Sequence, residues 1–223
     1  MSKTGRSVVE DMGYDFAEAI SHGMIVSELA VLVSKELGLD DDFCKRIAVV
    51  GFLHDIGKLR MSEELHLDRS KAMVVEKMKY VRMHTSFSKD ILLEHDYDDE
   101  ICETVYHHHE NNDGSGYPEN IEGEEIPLGA RIIRVCDVYA ALISTRSYRE
   151  AFSPEVAVEL MIEESKHFDM KIFLAFMRVI HSEEYAKIKV LLEKSIEEGA
   201  REYFTEYILK AVIKEMNENI DNN

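Results

Sequence analysis

The sequence predicts an all-α protein. Only three prolines occur in 223 residues, and apolar residues recur at three- and four-residue spacing along most of the chain, which is the periodicity of an amphipathic helix. No run alternates apolar and polar residues as strands do, and no internal repeat or low-complexity linker is evident.

The first two helices have clear boundaries. Residues 8–37 predict one long helix or two abutting ones, stopped by Gly38. Residues 41–56 predict the next helix. It is entered through the aspartates at 40–42, which suit a helix N-terminus, and halted at Gly57.

The remaining helices follow the same periodicity. They are predicted over residues 71–95, 98–109, 128–145, 154–166 and 170–182. Ser153 and Pro154 are typical of a helix start, because serine can cap the helix and proline suits its first position. The segment 110–127 holds three glycines and two prolines and predicts a long ordered loop, a kind of segment that is usually functional.

Composition limits the class of protein. The length suits one well-cored domain plus an extension. The longest apolar run, IAVVGFL at 47–53, is far shorter than the roughly 18 residues that span a bilayer. The N-terminus lacks the apolar core of a signal peptide. We therefore expect a soluble, cytoplasmic protein without membrane insertion.

Charge and cysteine content narrow the class further. The formal net charge of −18 disfavours binding of long nucleic acid, which needs a basic face. A small anionic substrate is compatible if metal ions or a few basic residues reverse the potential locally. Cys44, Cys102 and Cys136 are odd in number and widely spaced, and indicate free thiols in a reducing compartment.

Half of the ten histidines call for no special role. They stand among charged residues or at predicted helix ends, and we interpret them as ordinary surface or helix-end histidines. They are His66, His95, His107, His167 and His181.

Two of the remaining histidines have carboxylates close by in sequence. Glu18 and His22 are four residues apart on a predicted helix and can approach one ion. His54 and Asp55 end the apolar stretch in GFLHDIGK, where buried charge needs a partner or a metal ion.

Two further segments bring the same ligand types. His108 and His109 end another predicted helix, and Asp137 lies within the apolar RIIRVCDVYAALI. A helix cap or an ion pair with Arg134 is the alternative role for Asp137. Imidazole with carboxylate and without thiolate suits Fe, Mn, Zn or Ni rather than Ca or Mg. More than four candidate ligands predict more than one ion.

Three stretches carry a resemblance to a known family. GFLHDIGK, HHENNDGSGYP and RIIRVCDVYAALISTRSYREAFSPE closely resemble the HD-GYP family, a branch of the HD-domain metal-dependent phosphohydrolases. The resemblance covers about residues 10–181. It implies an all-α HD-domain helical bundle around two or three divalent metal ions, Fe or Mn. It also implies hydrolysis of cyclic di-GMP to linear pGpG and, in some members, on to GMP.

The resemblance also implies the site residues. The matching metal-ligand positions are Glu18, His22, His54, Asp55, His84, His108, His109 and Asp137. Asp55 matches the bridging carboxylate, and Glu18 matches the extra ligand of three-metal members. Lys58 matches the lysine that contacts the scissile phosphate. Tyr117, Arg146 and Arg149 match positions that hold the base and phosphates, although Tyr117 could instead pack the loop onto the helices.

Some positions depart from the family pattern. Ala141 stands where a second aspartate is common, and Thr85 stands where proline is usual. The stretch 60–80 is unlike the usual connection and more helical. These departures concern the rim of the substrate pocket more than the metal ligands.

We predict a catalytic domain over 1–181 and a C-terminal helical extension over 182–223. Phe204, Ile208, Ala211 and Val212 form one helical stripe in the extension. The stripe could pack on its own domain, or form a homodimer or signalling-partner surface.

Three functions are consistent with the sequence. The first is a cyclic di-GMP phosphodiesterase. The second is an HD-type phosphohydrolase of another nucleotide or cyclic dinucleotide, such as cyclic GMP-AMP. The third is a non-hydrolysing cyclic di-GMP-binding or adaptor module, which the filled ligand positions disfavour.

Overall fold

The computed structural model describes residues 8–60, 81–145 and 150–186, with side chains from residue 19 onward. Its α-helices are α1 (Val8–Glu36), α2 (Asp41–Leu53), α3 (His84–Glu94), α4 (Asp99–Tyr106), α5 (Leu128–Ile143), α6 (Pro154–Glu163) and α7 (Met170–Ile180). Two 3-10 turns cover Gly123–Glu125 and Ser165–His167. No strand occurs in the described ranges, so the all-α prediction is confirmed.

The connection between α1 and α2 follows the predicted signals. Gly38 has a φ of +77°, a conformation that glycine adopts without steric cost, and it ends the first helix. Asp40 caps the second helix, because its side chain accepts the Phe43 N–H at 2.7 Å. The two helices then pack along each other.

Helix α5 is the centre of the core. It packs against α1, α4, α6 and α7. Its inward side chains are almost fully buried, namely Ile132, Ile133, Val135, Cys136, Tyr139 and Ala140. The Tyr139 ring also meets Phe176 of α7 edge to face, with 5.0 Å between centroids. Complete burial of a large apolar side chain contributes roughly 1.5–3 kcal/mol, so this helix is a rigid support for any residue it carries.

Helices α2 and α4 each end three residues earlier than predicted. In both cases a histidine just after the helix donates Nδ1–H to a carbonyl three residues before it. His54 donates to Gly51 at 2.8 Å, and His108 donates to Val105 at 2.6 Å. These side chains occupy carbonyls in the last turn, and the backbone leaves the helix there. The early ends place the histidines in tight turns.

The predicted ordered loop over 110–127 is confirmed and is folded back on itself. The buried Glu110 accepts the N–H groups of Glu119 and Asn120 at 2.6 and 2.9 Å. Asn112 donates its N–H to the His167 carbonyl at 2.9 Å. The first two bonds close the loop on itself, and the third ties its beginning to the second 3-10 turn.

Several predictions fall outside the described residues. They include the first part of the predicted helix 71–95 and most of the extension 182–223, with the stripe of Phe204, Ile208, Ala211 and Val212. The domain boundary at 181 therefore stays a prediction. In the described part of the chain, no helix is long and apolar enough to cross a membrane.

Candidate metal centre

Seven of the eight predicted metal ligands converge at one place. They arrive from α1, the turn after α2, the start of α3, the turn after α4, and α5. Ligand atoms within 4.8 Å of one another form two groups, which are Asp55, His84, His108 and His109, and His22, His54 and Asp137. The eighth, Glu18, lies on α1, and its side chain is outside the described residues.

Asp55 lies between the two groups. Its Oδ1 faces the first group, 3.3 Å from His84 Nε2 and 4.0 Å from His108 Nε2. Its Oδ2 faces the second group, 3.4 Å from His54 Nε2. One carboxylate thus presents a different oxygen to each group, which is the arrangement a bridging ligand requires.

Asp137 organises the second group from the middle of α5. Its Oδ1 is 2.9 Å from His22 Nε2 and 3.7 Å from His54 Nε2. The alternative roles as a helix cap or an ion-pair partner of Arg134 are wrong. Asp137 is internal to its helix, and Arg134 donates Nε–H to Asn111 Oδ1 at 2.9 Å instead.

The histidine tautomers leave ligand nitrogens facing inward. His84 Nδ1 is 2.6 Å from the Val81 carbonyl oxygen, and His108 Nδ1 is 2.6 Å from the Val105 carbonyl oxygen. A carbonyl can only accept, so each Nδ1 carries the proton and each Nε2 has a lone pair. The two Nε2 atoms are 3.3 Å apart. Two lone pairs at that distance repel each other, and a cation between them would remove the repulsion.

Unpartnered polar atoms also fit a metal ion. Among the described residues, His54 Nε2 and Asp55 Oδ1 are buried without a hydrogen-bond partner. Leaving such atoms unsatisfied costs about 1–3 kcal/mol each. A coordinated cation would satisfy both, so the side chains in this cluster fit divalent metal ions.

The electrostatics of the first group favour neutral imidazoles. Burial lowers the pKa of His109 to about 3. Burial, with the neighbouring His109, holds the pKa of His108 well below its usual range. Burial also lowers the pKa of His84. Neutral imidazole is the form that binds metal.

The carboxylates of Asp55 and Asp137 make the electrostatic potential of the centre favourable for a cation. Burial alone would raise the pKa of Asp55, but His54 and Lys58 outweigh it and hold the value well below the usual range. Burial disfavours a charged His54, yet the Asp55 and Asp137 carboxylates raise its pKa to about 10. The field that stabilises a proton on this imidazole would also stabilise a metal ion.

Gly57 allows α3 to reach the turn that carries His54 and Asp55. A Cβ at this position would lie 2.2 Å from the His84 carbonyl oxygen. Its N–H donates to Ser88 Oγ at 2.8 Å, and that hydroxyl donates to the His54 carbonyl at 2.9 Å. The sequence indicated Gly57 only as a helix stop, and nothing in its periodicity signalled this contact.

Lys58 and Tyr117 lie beside the ligands. Lys58 Nζ is 2.5 Å from Asp55 Oδ2, with its side chain half exposed. The Tyr117 ring stacks on His109 with 4.8 Å between centroids. Gly116 makes this possible, because a Cβ there would lie 2.3 Å from the Asn111 nitrogen. Tyr117 thus packs the loop onto the centre, and its contact with substrate stays a prediction.

The other predicted residues fall into two sets. Arg146 and Arg149 lie outside the described residues, as does His66. Four of the histidines assigned no special role lie in the second 3-10 turn or just after α3, α4 and α7; they are His95, His107, His167 and His181. Thr85, in place of the usual proline, is buried and bonds the Arg82 carbonyl at 3.2 Å.

Fold and centre together define an HD-domain protein. A family model described as HD domain matches residues 8–172, so the chain belongs to this family, and the resemblance to its HD-GYP branch is confirmed.

Curated relatives are similar over most of this chain. A cyclic di-GMP phosphodiesterase of Pseudomonas aeruginosa is 32% identical over 160 residues, which are 71% of this chain and 38% of that protein. The 3'3'-cGAMP-specific phosphodiesterase 1 of Vibrio cholerae is 32% identical over 171 residues, which are 76% of this chain and 39% of that protein. The chain therefore spans about two fifths of the length of these relatives.

Solved structures share the fold. An HDG"Y"P protein from Bdellovibrio bacteriovorus aligns with a TM-score of 0.59 and 17% identity, covering 74% of this chain and 53% of that chain. A cyclic GMP-AMP phosphodiesterase of V. cholerae aligns with a TM-score of 0.57 and 16% identity, covering 79% and 49%.

Proposed function

We propose that this chain is a metal-dependent phosphodiesterase that hydrolyses cyclic di-GMP to linear pGpG. The observation that carries the proposal is the pair of adjacent ligand groups with Asp55 between them. Relatives named as cyclic di-GMP phosphodiesterases support the choice of substrate. Hydrolysis of pGpG onward to GMP is a second step that the same centre could perform.

The proposed cofactors are two or three divalent ions of Fe or Mn. The ligand set of imidazoles and carboxylates without thiolate suits these metals. Asp55 is proposed as the bridging ligand and Glu18 as a ligand of a third ion. When bound, such ions lower the pKa of a water molecule and neutralise charge on the attacking and leaving oxygens of a phosphodiester.

The protein's own cations complete the proposed site. Lys58 lies against Asp55 at 2.5 Å, where an ammonium group could stabilise the charge that develops on the scissile phosphate. Arg146 and Arg149 are proposed to hold the phosphates and Tyr117 the base, as the resemblance implies. Local cations of this kind would allow an anionic substrate to bind to a chain whose net charge is −18.

Replacing Lys58 is expected to slow the chemical step. Lys58→Ala should lower kcat on cyclic di-GMP by about 10²–10³-fold, the usual effect of removing one transition-state stabilising group, with a smaller change in KM. Metal content should stay at the wild-type level. Lys45 is a matched control, since it pairs with Asp42 three residues before it at 2.8 Å. Equal kcat values for Lys58→Ala and Lys45→Ala would remove Lys58 from the site.

Replacing Glu18 tests the third ion. Glu18→Ala should lower bound metal by about one equivalent and leave a pair of ions in place, because Glu18 and His22 share a helix face. Metal analysis of protein loaded without oxygen measures this, with the exposed Glu28 of the same helix as the control. An unchanged metal stoichiometry in Glu18→Ala would indicate that Glu18 is a solvated carboxylate and not a metal ligand.

A second candidate substrate is 3'3'-cyclic GMP-AMP, because several V. cholerae relatives are named as specific for it. Anaerobic purification, metal analysis and product chromatography with both cyclic dinucleotides test the two candidates. Faster turnover of cyclic GMP-AMP would favour the second. Binding of either ligand without turnover by metal-loaded protein would favour the adaptor function.

We also propose a catalytic domain over 1–181 and a C-terminal helical extension over 182–223. The extension would either pack on its own domain or provide a homodimer or signalling-partner surface. Cytoplasmic localisation is proposed with the substrate, since cyclic di-GMP is a bacterial second messenger.

A further inference from the structure

Arg82 stands out among the basic side chains near the centre. Lys58 is engaged by Asp55 at 2.5 Å, and the half-buried Arg134 by Asn111 at 2.9 Å. Arg82 is exposed, and within the described ranges no carboxylate forms an ion pair with it.

The guanidinium of Arg82 is nevertheless held in place. Its central carbon lies 5.0 Å from the centroid of the Tyr117 ring, which is a cation–π distance. That ring stacks in turn on His109, with 4.8 Å between centroids. Arg82 is therefore connected to a candidate metal ligand through one aromatic ring.

The backbone around Arg82 is fixed as well. The Arg82 carbonyl accepts the Thr85 hydroxyl at 3.2 Å, and the preceding Val81 carbonyl accepts Nδ1–H of His84 at 2.6 Å. The segment that carries the arginine is thus bonded to the start of α3. Its distance from the centre is set by the same contacts that orient His84.

This arrangement suits a phosphate. A guanidinium that lies over an aromatic ring keeps its N–H edge available, and that edge matches two oxygens of a phosphate group. A cyclic dinucleotide has two phosphodiesters, of which one is cleaved at a time. Because a tyrosine ring separates Arg82 from His109, the arginine is placed for the phosphate that is not being cleaved.

We propose that Arg82 binds the second, uncleaved phosphate of the cyclic dinucleotide substrate and that Tyr117 holds its guanidinium in position. This inference rests on the proposed function and adds a substrate-binding residue to the same site. It also gives Tyr117 a role that requires no direct contact with a base.

Two substrates separate this role from a structural one. Cyclic di-GMP contains the phosphodiester that is cleaved and a second one that is not. Bis(p-nitrophenyl) phosphate contains only the phosphodiester that is cleaved, so its hydrolysis requires the metal centre but no site for a second phosphate. Arg82→Ala should raise KM for cyclic di-GMP by about tenfold, the lower end for a charge-assisted contact. Its loss of kcat/KM on cyclic di-GMP should exceed its loss on bis(p-nitrophenyl) phosphate by a similar factor.

The series of variants and one control sharpen the test. KM for cyclic di-GMP should rise from Arg82→Lys through Arg82→Ala to Arg82→Glu, since charge is kept, removed and reversed. Arg60 pairs with Glu94 at 3.0 Å, and Arg60→Ala should match the wild type. Equal losses on both substrates, or no loss on either, would overturn the assignment of Arg82.

The proposed function can fail separately. A wild-type protein that cleaves bis(p-nitrophenyl) phosphate but neither cyclic dinucleotide would contradict the proposed substrate class. A wild-type protein that cleaves cyclic di-GMP with the same KM as Arg82→Ala would contradict only the assignment of Arg82.

Discussion

Asp55→Ala should abolish hydrolysis of cyclic di-GMP and lower the metal content of the protein. The two oxygens of Asp55 face different ligand groups, one toward His84 at 3.3 Å and one toward His54 at 3.4 Å. None of the other described ligand side chains faces both groups, so removal of the Asp55 carboxylate weakens both groups together. The loss of activity should be on the order of 10³-fold or more, because the metal ions supply several kcal/mol of transition-state stabilisation.

Metal analysis and activity should be measured on the same anaerobic preparation. Asp42→Ala is the control, since Asp42 is an exposed carboxylate paired with a lysine at 2.8 Å. Asp55→Asn should lie between the wild type and Asp55→Ala in metal content, because the amide retains one oxygen ligand without the charge. Wild-type activity with full metal loading in Asp55→Ala would exclude Asp55 from the centre.

The sequence predicted the helices well and their ends less well. Periodicity located α2 and α4, but it extended both by three residues. Periodicity indicates which side chains face the core. Hydrogen bonds from imidazoles to backbone carbonyls do not change the apolar pattern, so periodicity cannot reveal them. The bonds of His54 and His108 end the helices, and they also orient these imidazoles toward the centre.

The candidate ligands were predicted because motifs mark them. His84 had no distinctive neighbours in the sequence, and only the resemblance to the HD-GYP family indicated it. Contacts between distant segments carried no such signal. The stacking of Arg82 on Tyr117 at 5.0 Å depends on how the loop folds over α3. The contact between Asp137 and His22 was likewise not visible in the sequence. Arg134 is three residues from Asp137 and was the obvious ion-pair partner, whereas His22 is far away along the chain.

Gly57→Ala should damage the metal centre without touching a ligand. The new Cβ would lie 2.2 Å from the His84 carbonyl oxygen and 2.5 Å from the Ser88 nitrogen. Both atoms belong to the backbone, so no side-chain rotation can relieve the contact. The first turn of α3 must move away from Asp55. Overpacking of this kind typically lowers the free energy of unfolding by about 1–3 kcal/mol.

The second expected result is a loss of metal affinity. Displaced supporting residues typically cost about 10–100-fold in affinity for the metal, which competition with a chelator can measure. Gly38→Ala is the matched control. Its φ of +77° strains any other residue, by roughly 1–2 kcal/mol, and no atom lies within 4 Å of the added Cβ.

The comparison of the two glycine variants is therefore decisive. Both variants should unfold at lower temperature, but only Gly57→Ala should bind metal more weakly. Adding Ser88→Ala should restore little affinity, because it removes the Ser88 hydroxyl and leaves the carbonyl of His84 in place. Gly57→Ala with the metal affinity of Gly38→Ala would show that α3 does not approach the His54–Asp55 turn through this glycine.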